Sequence, residues 1–499
     1  MLQLSPAPAW GRRLWGACAR VAALASLTAT VVVAPIGASA QAPDLSTPAT
    51  PSEAADTPAT RQAKAFLDAA TSGDQARFLK FVADNAAGAR IPMDVWRRVG
   101  AIFANLRLHA VLSATPTKAE MLVYDGVFET WLGLWITVED HPPYGITDLG
   151  SREAKRPADV AAPPKLAPPE LAAATKAKAG ALVAADAFSG AILIARGGKP
   201  IFVAPFGLAD RAAKTPVTLA TQFRFGSMGK MFTAVAIVQL AEAGRIDLKA
   251  PIGRYLADYP NAEIASKVTI ENLLTHTGGT GDIFGPEFTA HRETLRDAKD
   301  YVALFGSRAP EFPPGTKRAY SNYGFMLLGR IVEVVSGMTY DDYLARRIFA
   351  PARMTATGMR PESDRLPGRA VGYTRSEGGW KDAADTLPWR GTPAGGGYST
   401  VGDMLAFANA LQGGRVLSAA GLQKLATGGI TGPDGTFFRY DFTDETPEGR
   451  RFWGHGGGAP GMNGMLMIFP ESRYTVVVFA NRDPPVAQAL ANYIADRLP

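Results

Sequence analysis

Three places in the 499-residue chain carry side chains whose types and spacing could do chemistry on a carbonyl. Ser227 is the only serine in the sequence with a lysine three residues on, Lys230. Residues three apart share a helical face, so the hydroxyl and the amine can meet. A lysine desolvated at the positive end of a helix loses its proton more easily and can then act as a base. Further on, Tyr320-Ser321-Asn322 offers a phenol and an amide just before an apolar helical period that starts near Phe325. By themselves Tyr320 could simply pack and Asn322 could cap the helix, a common use of Asn. The third place is Gly454-His455-Gly456-Gly457-Gly458, which follows Arg451-Phe452-Trp453. Successive glycines weaken a strand, so they imply either close approach of a ligand to the backbone or a plain glycine turn.

These groups need a frame to hold them. Met231 to Leu240 is apolar on almost every side, which suits a buried central helix running from near Ser227 to a C-terminal cap at Gly244. GAILIARGGKPIFVAPFGLADR, which opens at Gly190, reads as two strands about a Gly197-Gly198 hairpin turn. The end of the chain mirrors it: GMLMIFP, a turn at Glu471-Ser472-Arg473, TVVVFANR, then a helix from Pro485 to Leu498. First and last segments therefore read as halves of one antiparallel sheet. A mostly helical stretch from Leu248 to about Lys424 lies between them.

Upstream the chain changes character repeatedly. Arg12, Arg13 and Arg20 precede an acid-free apolar run, Val21 to Ile36, ending in Ala38-Ser39-Ala40. That is the pattern of a cleavable secretory signal over 1–40, so a periplasmic or secreted protein without a transmembrane anchor is expected. Residues 41–60, rich in Pro, Ala, Thr and Ser, read as a disordered tether. Residues 61–155 show helical periods and then strands near 108–113, 120–124, 130–138 and 144–149, a small α+β unit. Residues 156–178 read as a Pro/Ala/Lys linker, and 179–499 as the largest domain.

Composition narrows the chemistry. The chain is 47% hydrophobic and 20% charged, a globular balance, and its formal charge of +6 falls to +3 when the three leader arginines are removed. That excess is too small and too dispersed for a nucleic-acid partner. Cys18, the single cysteine, leaves with the leader, so neither a disulfide nor a thiol nucleophile is expected. His109, His141 and His291 have no metal-ligand spacing around them, and no phosphate-binding loop is present, so neither metal nor cofactor is expected. His276 lies beside Gly278-Gly279 with no G-x-S-x-G elbow elsewhere, and is read as a residue fixing a loop that borders the site.

Taken together, Ser227-x-x-Lys230, Tyr320-x-Asn322 and His455-Gly456-Gly457 resemble, in that order, the three boxes of class C β-lactamase and penicillin-binding-protein serine hydrolases. LLTHTGG (Leu273 to Gly279), PPGTKRAYSN and GGGYSTVGDM (Gly395 to Met404) agree, and the resemblance spans about Ala181 to Arg497. It implies a two-lobed β-lactamase/transpeptidase-like α+β fold, with an antiparallel sheet and flanking helices in one lobe and helices in the other. It also implies an acyl-enzyme on Ser227, with Lys230 and Tyr320 sharing the proton and Asn322 holding Lys230 or the substrate amide. The N–H groups of Ser227 and Gly458 would form the oxyanion hole, and His455, Gly456 and Gly457 would line the substrate. The 61–155 unit is similar in element order to the cone-like fold of nuclear transport factor 2, and is expected to be an accessory for positioning, pairing or gating.

In many of these enzymes the third box begins with a lysine that binds a substrate carboxylate. Here His455 replaces it, and a neutral imidazole is a weaker anchor, although Arg451 could supply charge nearby. Esters or D-amino-acid amides and peptides are therefore the expected substrates, with β-lactamase or D-Ala-D-Ala carboxypeptidase activity as the alternative. A catalytically idle binding or scaffold protein on the same fold is the reading from another class.

Overall fold

The computed structural model describes residues 56–499, apart from 90, 365, 377 and 378; the expected leader and most of the tether lie outside the described residues. The first helix starts earlier than the tether reading allows. Pro58, whose fixed φ suits the first helical position, opens α1 (Pro58–Ala70), and Thr57 and Thr60 cap each other reciprocally. α2 (Gln75–Asn85) is capped by Asp74, and α3 (Met93–Phe103) follows. Then come β1 (Leu106–Ala114), β2 (Lys118–Asp125), β3 (Thr130–Val138) and β4 (Ile146–Glu153), an antiparallel meander in chain order. In β3 the expected alternation holds: Leu134, Ile136 and Val138 point into a core with Phe66, Phe78, Trp96 and Phe103.

The expected 156–178 linker is only half a linker. Pro168 and Pro169 occupy the first turn of α4 (Pro168–Ala184), and Glu170 reaches back to the Ala167 amide. Past those prolines the composition is dominated by alanine, the strongest helix former, so the segment continues as helix where prolines alone suggested extended chain.

β5 (Gly190–Arg196) and β6 (Lys199–Phe206) form the expected hairpin, with Gly197 and Gly198 both at positive φ. The next helix, α5 (Gly229–Glu242), is buried on nearly all sides, and Gly244 follows it at φ +68. α6 (Asn322–Ser336) packs against α5, and α7 (Val401–Gln412) lies under the sheet. The chain returns through β7 (Thr443–Glu445), β8 (Arg451–Ala459), β9 (Met462–Phe469), β10 (Tyr474–Ala480) and α8 (Val486–Ala495).

The six-stranded sheet runs β7-β8-β9-β10-β5-β6, so the last strands close onto the first. Ile192 pairs with Val478 and Leu193 with Val477 in that junction. Side chains alternate across it: Ile192, Ile194 and Val478 face α4 and α8, while Leu193, Val477 and Phe479 face α5 and α7. Each such buried side chain contributes about 1.5–3 kcal/mol. With both faces covered, these strands read as nearly unbroken apolar runs.

The N-terminal unit docks on the helical back of this sheet. Val127 and Phe128, from its β2–β3 turn, pack against the α4–α8 layer. Around them Glu129 takes Arg497 at 2.8 Å and Lys178 at 2.5 Å, and Glu153 takes Asn492 at 3.0 Å. Among the described residues no helix is long and apolar enough to cross a membrane.

Candidate active site

Ser227 lies in a single 3-10 turn, Gly226 to Met228, that leads into α5. Gly226 takes φ +54, a left-handed value that costs a residue with a Cβ about 1 kcal/mol or more. Lys230 follows on the first turn of α5, fully buried, with its Nζ 3.3 Å from Ser227 Oγ. The same nitrogen reaches Asn322 Oδ1 at 2.8 Å and the Ala394 carbonyl at 2.5 Å. Burial pushes its pKa down to about 8, against the opposite pull of Asp441 and Asp282. This amine therefore gives up its proton more readily than an exposed lysine would, beside the serine hydroxyl.

Tyr320 and Asn322 arrive from the loop before α6. Lys230 Nζ sits 4.7 Å from the Tyr320 ring centroid, and Ser227 pulls against the rise in the phenol's proton affinity. Burial, with Asp441 and Asp282 adding to it, holds the phenol protonated well above its ordinary range. The cap of α6 is Ser321, whose Oγ accepts from Gly324 N, so Asn322 is not the cap that its residue type allowed. Instead Asn322 donates from N and Nδ2 to the half-buried Asp282, at 2.9 and 3.2 Å. That double hold turns its Oδ1 toward Lys230, which sets both the amide's orientation and the lysine's.

The glycine run lies in β8. This strand pairs with β7 only as far as Trp453, and from His455 onward its outer edge runs along the serine turn. A Cβ at Gly457 would lie 2.0 Å from the Phe225 carbonyl oxygen and 3.0 Å from Ser227 N. One at Gly226 would lie 3.0 Å from Gly458 N. The close approach that the glycines permit is thus between strand and turn, and it lays Gly457 and Gly458 against the Phe225–Ser227 backbone. Asn463 fixes the strand from behind, donating to Gly457 O at 2.8 Å and accepting from Ala487 N at 2.7 Å.

Asp441 has no motif and escaped the sequence reading. Buried at the back of the site, it meets His455 Nε2 at 2.7 Å and His276 Nε2 at 2.9 Å through Oδ2, and Arg318 Nη2 at 3.1 Å through Oδ1. Burial pushes its pKa up, but the interactions with the His455 and His276 rings outweigh that and hold it well below the usual carboxylate range. His276 accepts the Ser321 amide at Nδ1, 3.1 Å away, so its proton is on Nε2, and burial lowers its pKa to about 4. Its ring lies against Tyr320, 4.5 Å between centroids, in keeping with the loop-fixing reading.

His455 has its other nitrogen against the Gly456 carbonyl, so neither ring nitrogen is turned outward. Substrate contact through this imidazole, expected from the third box, would need that pairing broken. Arg451 also departs from expectation. It sits exposed at the start of β8 and pairs with Glu445 at 3.7 Å, while the half-buried cation bound to Asp441 is Arg318. His109 and His141 are remote: the first lies edge-on to Trp131, and the second is exposed in a turn.

Comparison with known proteins covers the same part of the chain. The protein-family model described as Beta-lactamase matches residues 149–498. Penicillin-binding protein 4* of Bacillus subtilis (strain 168) is 28% identical over 318 residues, which are 59% of this chain and 68% of that protein. The crystal structure of a penicillin-binding protein from Bacillus halodurans superposes with a TM-score of 0.56 at 31% identity, covering 66% of this chain and 99% of the other. D-amino acid amidase from Ochrobactrum anthropi SV3, complexed with L-phenylalanine amide, gives a TM-score of 0.55 at 25% identity, covering 66% and 97%. A six-stranded antiparallel sheet covered by helices on both faces, a serine turn against a glycine strand and a match over most of the chain agree: the protein belongs to the β-lactamase family, as a serine hydrolase related to penicillin-binding proteins.

Proposed function

We propose that Ser227 is acylated by esters or D-amino-acid amides and then hydrolysed, in an exported enzyme. The observation that carries the reading is a fully buried Lys230 amine 3.3 Å from the serine hydroxyl, with its proton affinity lowered to about 8. Lys230, acting with Tyr320 as a coupled pair, takes the Ser227 proton as Oγ attacks the substrate carbonyl. The carbonyl oxygen, gaining charge, is met by the N–H groups of Ser227 and Gly458. Each such donor is worth about 3 kcal/mol in the transition state. Tyr320, protonated at rest, passes a proton to the departing alkoxide or amine. Water then enters by the reverse path and releases the acid. Asn322 keeps Lys230 in place.

The preference for neutral leaving groups rests on Asp441. It engages both His455 and Arg318, so the third box offers no lone cation to a substrate carboxylate. The D-amino acid amidase relative fits an amide substrate of this kind. Relatives among penicillin-binding proteins, with the leader pattern at the N-terminus, support a periplasmic or secreted location. The 61–155 unit is read as an accessory to the hydrolase.

The test has two parts. A fluorophosphonate probe is expected to add its mass to Ser227 and to leave Ser227→Ala unlabelled; no adduct from it or from a fluorescent penicillin would favour the idle scaffold. Rates on p-nitrophenyl butyrate, D-alanine p-nitroanilide and nitrocefin then rank substrates. The ester or the anilide should lead, and a faster nitrocefin reaction would replace this reading with a β-lactamase.

A further inference from the structure

His276 takes no part in the proton transfers of acylation, yet it is buried beside them in an uncommon conformation. It is 1% exposed and takes φ +58, a left-handed backbone that few residues with a Cβ adopt. The turn follows the short helix Ile270–Leu274, whose end is locked from two sides. Thr275 Oγ1 donates to the Glu271 carbonyl at 2.7 Å, and Thr277 N to the Asn272 carbonyl at 2.8 Å. Backbone strain held in place by its surroundings, next to a reactive group, points to a function.

What the turn achieves is a grip on both sides of Tyr320. The His276 carbonyl accepts from Ala319 N at 2.9 Å, and its Nδ1 accepts from Ser321 N at 3.1 Å. The residues before and after the tyrosine thus hang on one histidine. The imidazole also lies against the phenol ring, 4.5 Å between centroids and tilted by 34°. Phe325 packs on the same imidazole at 5.1 Å. Nε2 lies 2.9 Å from Asp441 Oδ2, the oxygen that also meets His455. One carboxylate therefore fixes both the ring that grips Tyr320 and the first residue of the third box. Asn322 is held separately, by Asp282 farther along the same loop.

The placement of a proton carrier matters steeply, since an error of about 1 Å can cost on the order of 10²-fold in rate. We propose that His276 is the positioning residue for Tyr320: it touches no substrate, and it sets where the phenol stands relative to Ser227 and the leaving group. Asp441 keeps the imidazole in the tautomer whose Nδ1 accepts. The inference rests on the proton-transfer role given above to Tyr320.

The test measures full-length His276→Gly, His276→Asn, Tyr320→Phe and the paired variants on a p-nitrophenyl ester. Gly carries no strain at this φ and removes both ring and acceptor. Asn also tolerates left-handed backbone, and its Oδ1 restores an acceptor near the place of Nδ1. Tyr320→Phe should lower kcat about 10³-fold. His276→Gly should lower kcat about 10²-fold with KM within about twofold of wild type, and His276→Asn should recover about tenfold of that loss. In the Tyr320→Phe background either change at 276 should cost no more than about twofold, because residues that act as a unit are not additive. If the Gly chain fails to fold by circular dichroism, His276→Asn carries the test in both backgrounds. Wild-type kcat in the 276 variants, a loss confined to KM, or the full loss repeated in the Tyr320→Phe background overturns the inference and leaves the role of Tyr320 standing. A Tyr320→Phe enzyme as fast as wild type overturns that role, and the inference with it.

Discussion

Lys230 is the residue whose chemistry depends most on its surroundings. It is expected to work unprotonated, so kcat/KM for a neutral ester should rise as pH climbs through about 8 and level off above it. Lys230→Met should lower kcat on the order of 10³-fold and remove that rise, measured by initial rates across pH. Asp441 is tested by stability. Asp441→Asn leaves Arg318 and two histidines without their shared carboxylate, and thermal or urea unfolding should show a loss of about 3 kcal/mol. His276 binds its proton less readily when folded, at about 4, than at its ordinary 6.5. Between those values the unfolded chain takes up more protons, so stability falls as pH drops across that window. His276→Gln should flatten that fall, removing roughly 3 kcal/mol of pH dependence in melts across the window. Spacing alone pointed to Ser227 and Lys230, because a helix makes residues three apart neighbours. Nothing in the sequence pointed to Asp441 or Asp282. Each sits in a loop, and each is brought to the site only by contacts with distant segments.

At the scale of elements, the contact between β8 and the serine turn decides whether the site exists. Gly457→Ala would put a methyl 2.0 Å from the Phe225 carbonyl, so strand and turn must separate. The expected result is a folded protein, by circular dichroism, whose kcat falls about 100-fold or more as the two amides lose their common target. The strands were legible wherever their side chains alternate or run apolar between turns, as in β3, β5, β9 and β10. The Pro168 helix was misread because proline breaks a helix in its interior yet suits its first turn, and position within an element is not printed in composition. Which residue caps α6 was open for a related reason: Ser321 and Asn322 are both good caps, and only the φ/ψ break at Ser321 separates them.

For the whole molecule, the seam between the N-terminal unit and the sheet is held by Phe128 packing and by Glu129, which bridges Lys178 and Arg497. Glu129→Gln should weaken that seam by about 1 kcal/mol, given the partial exposure of the carboxylate and its screening. In a chain of this size that appears as a fall of about 1 °C in Tm, with kcat on small esters unchanged. The order of the sheet carries one more consequence. β5 is among the first strands of the hydrolase to leave the ribosome, yet its neighbour β10 and the glycine strand β8 come from the end of the chain. A nascent polypeptide carries its serine and lysine long before it owns the amide opposite them. Reactivity therefore arrives only once the glycine strand has been made, and a chain cut short before Arg451 would bear a complete S-x-x-K yet remain inert toward acylating probes.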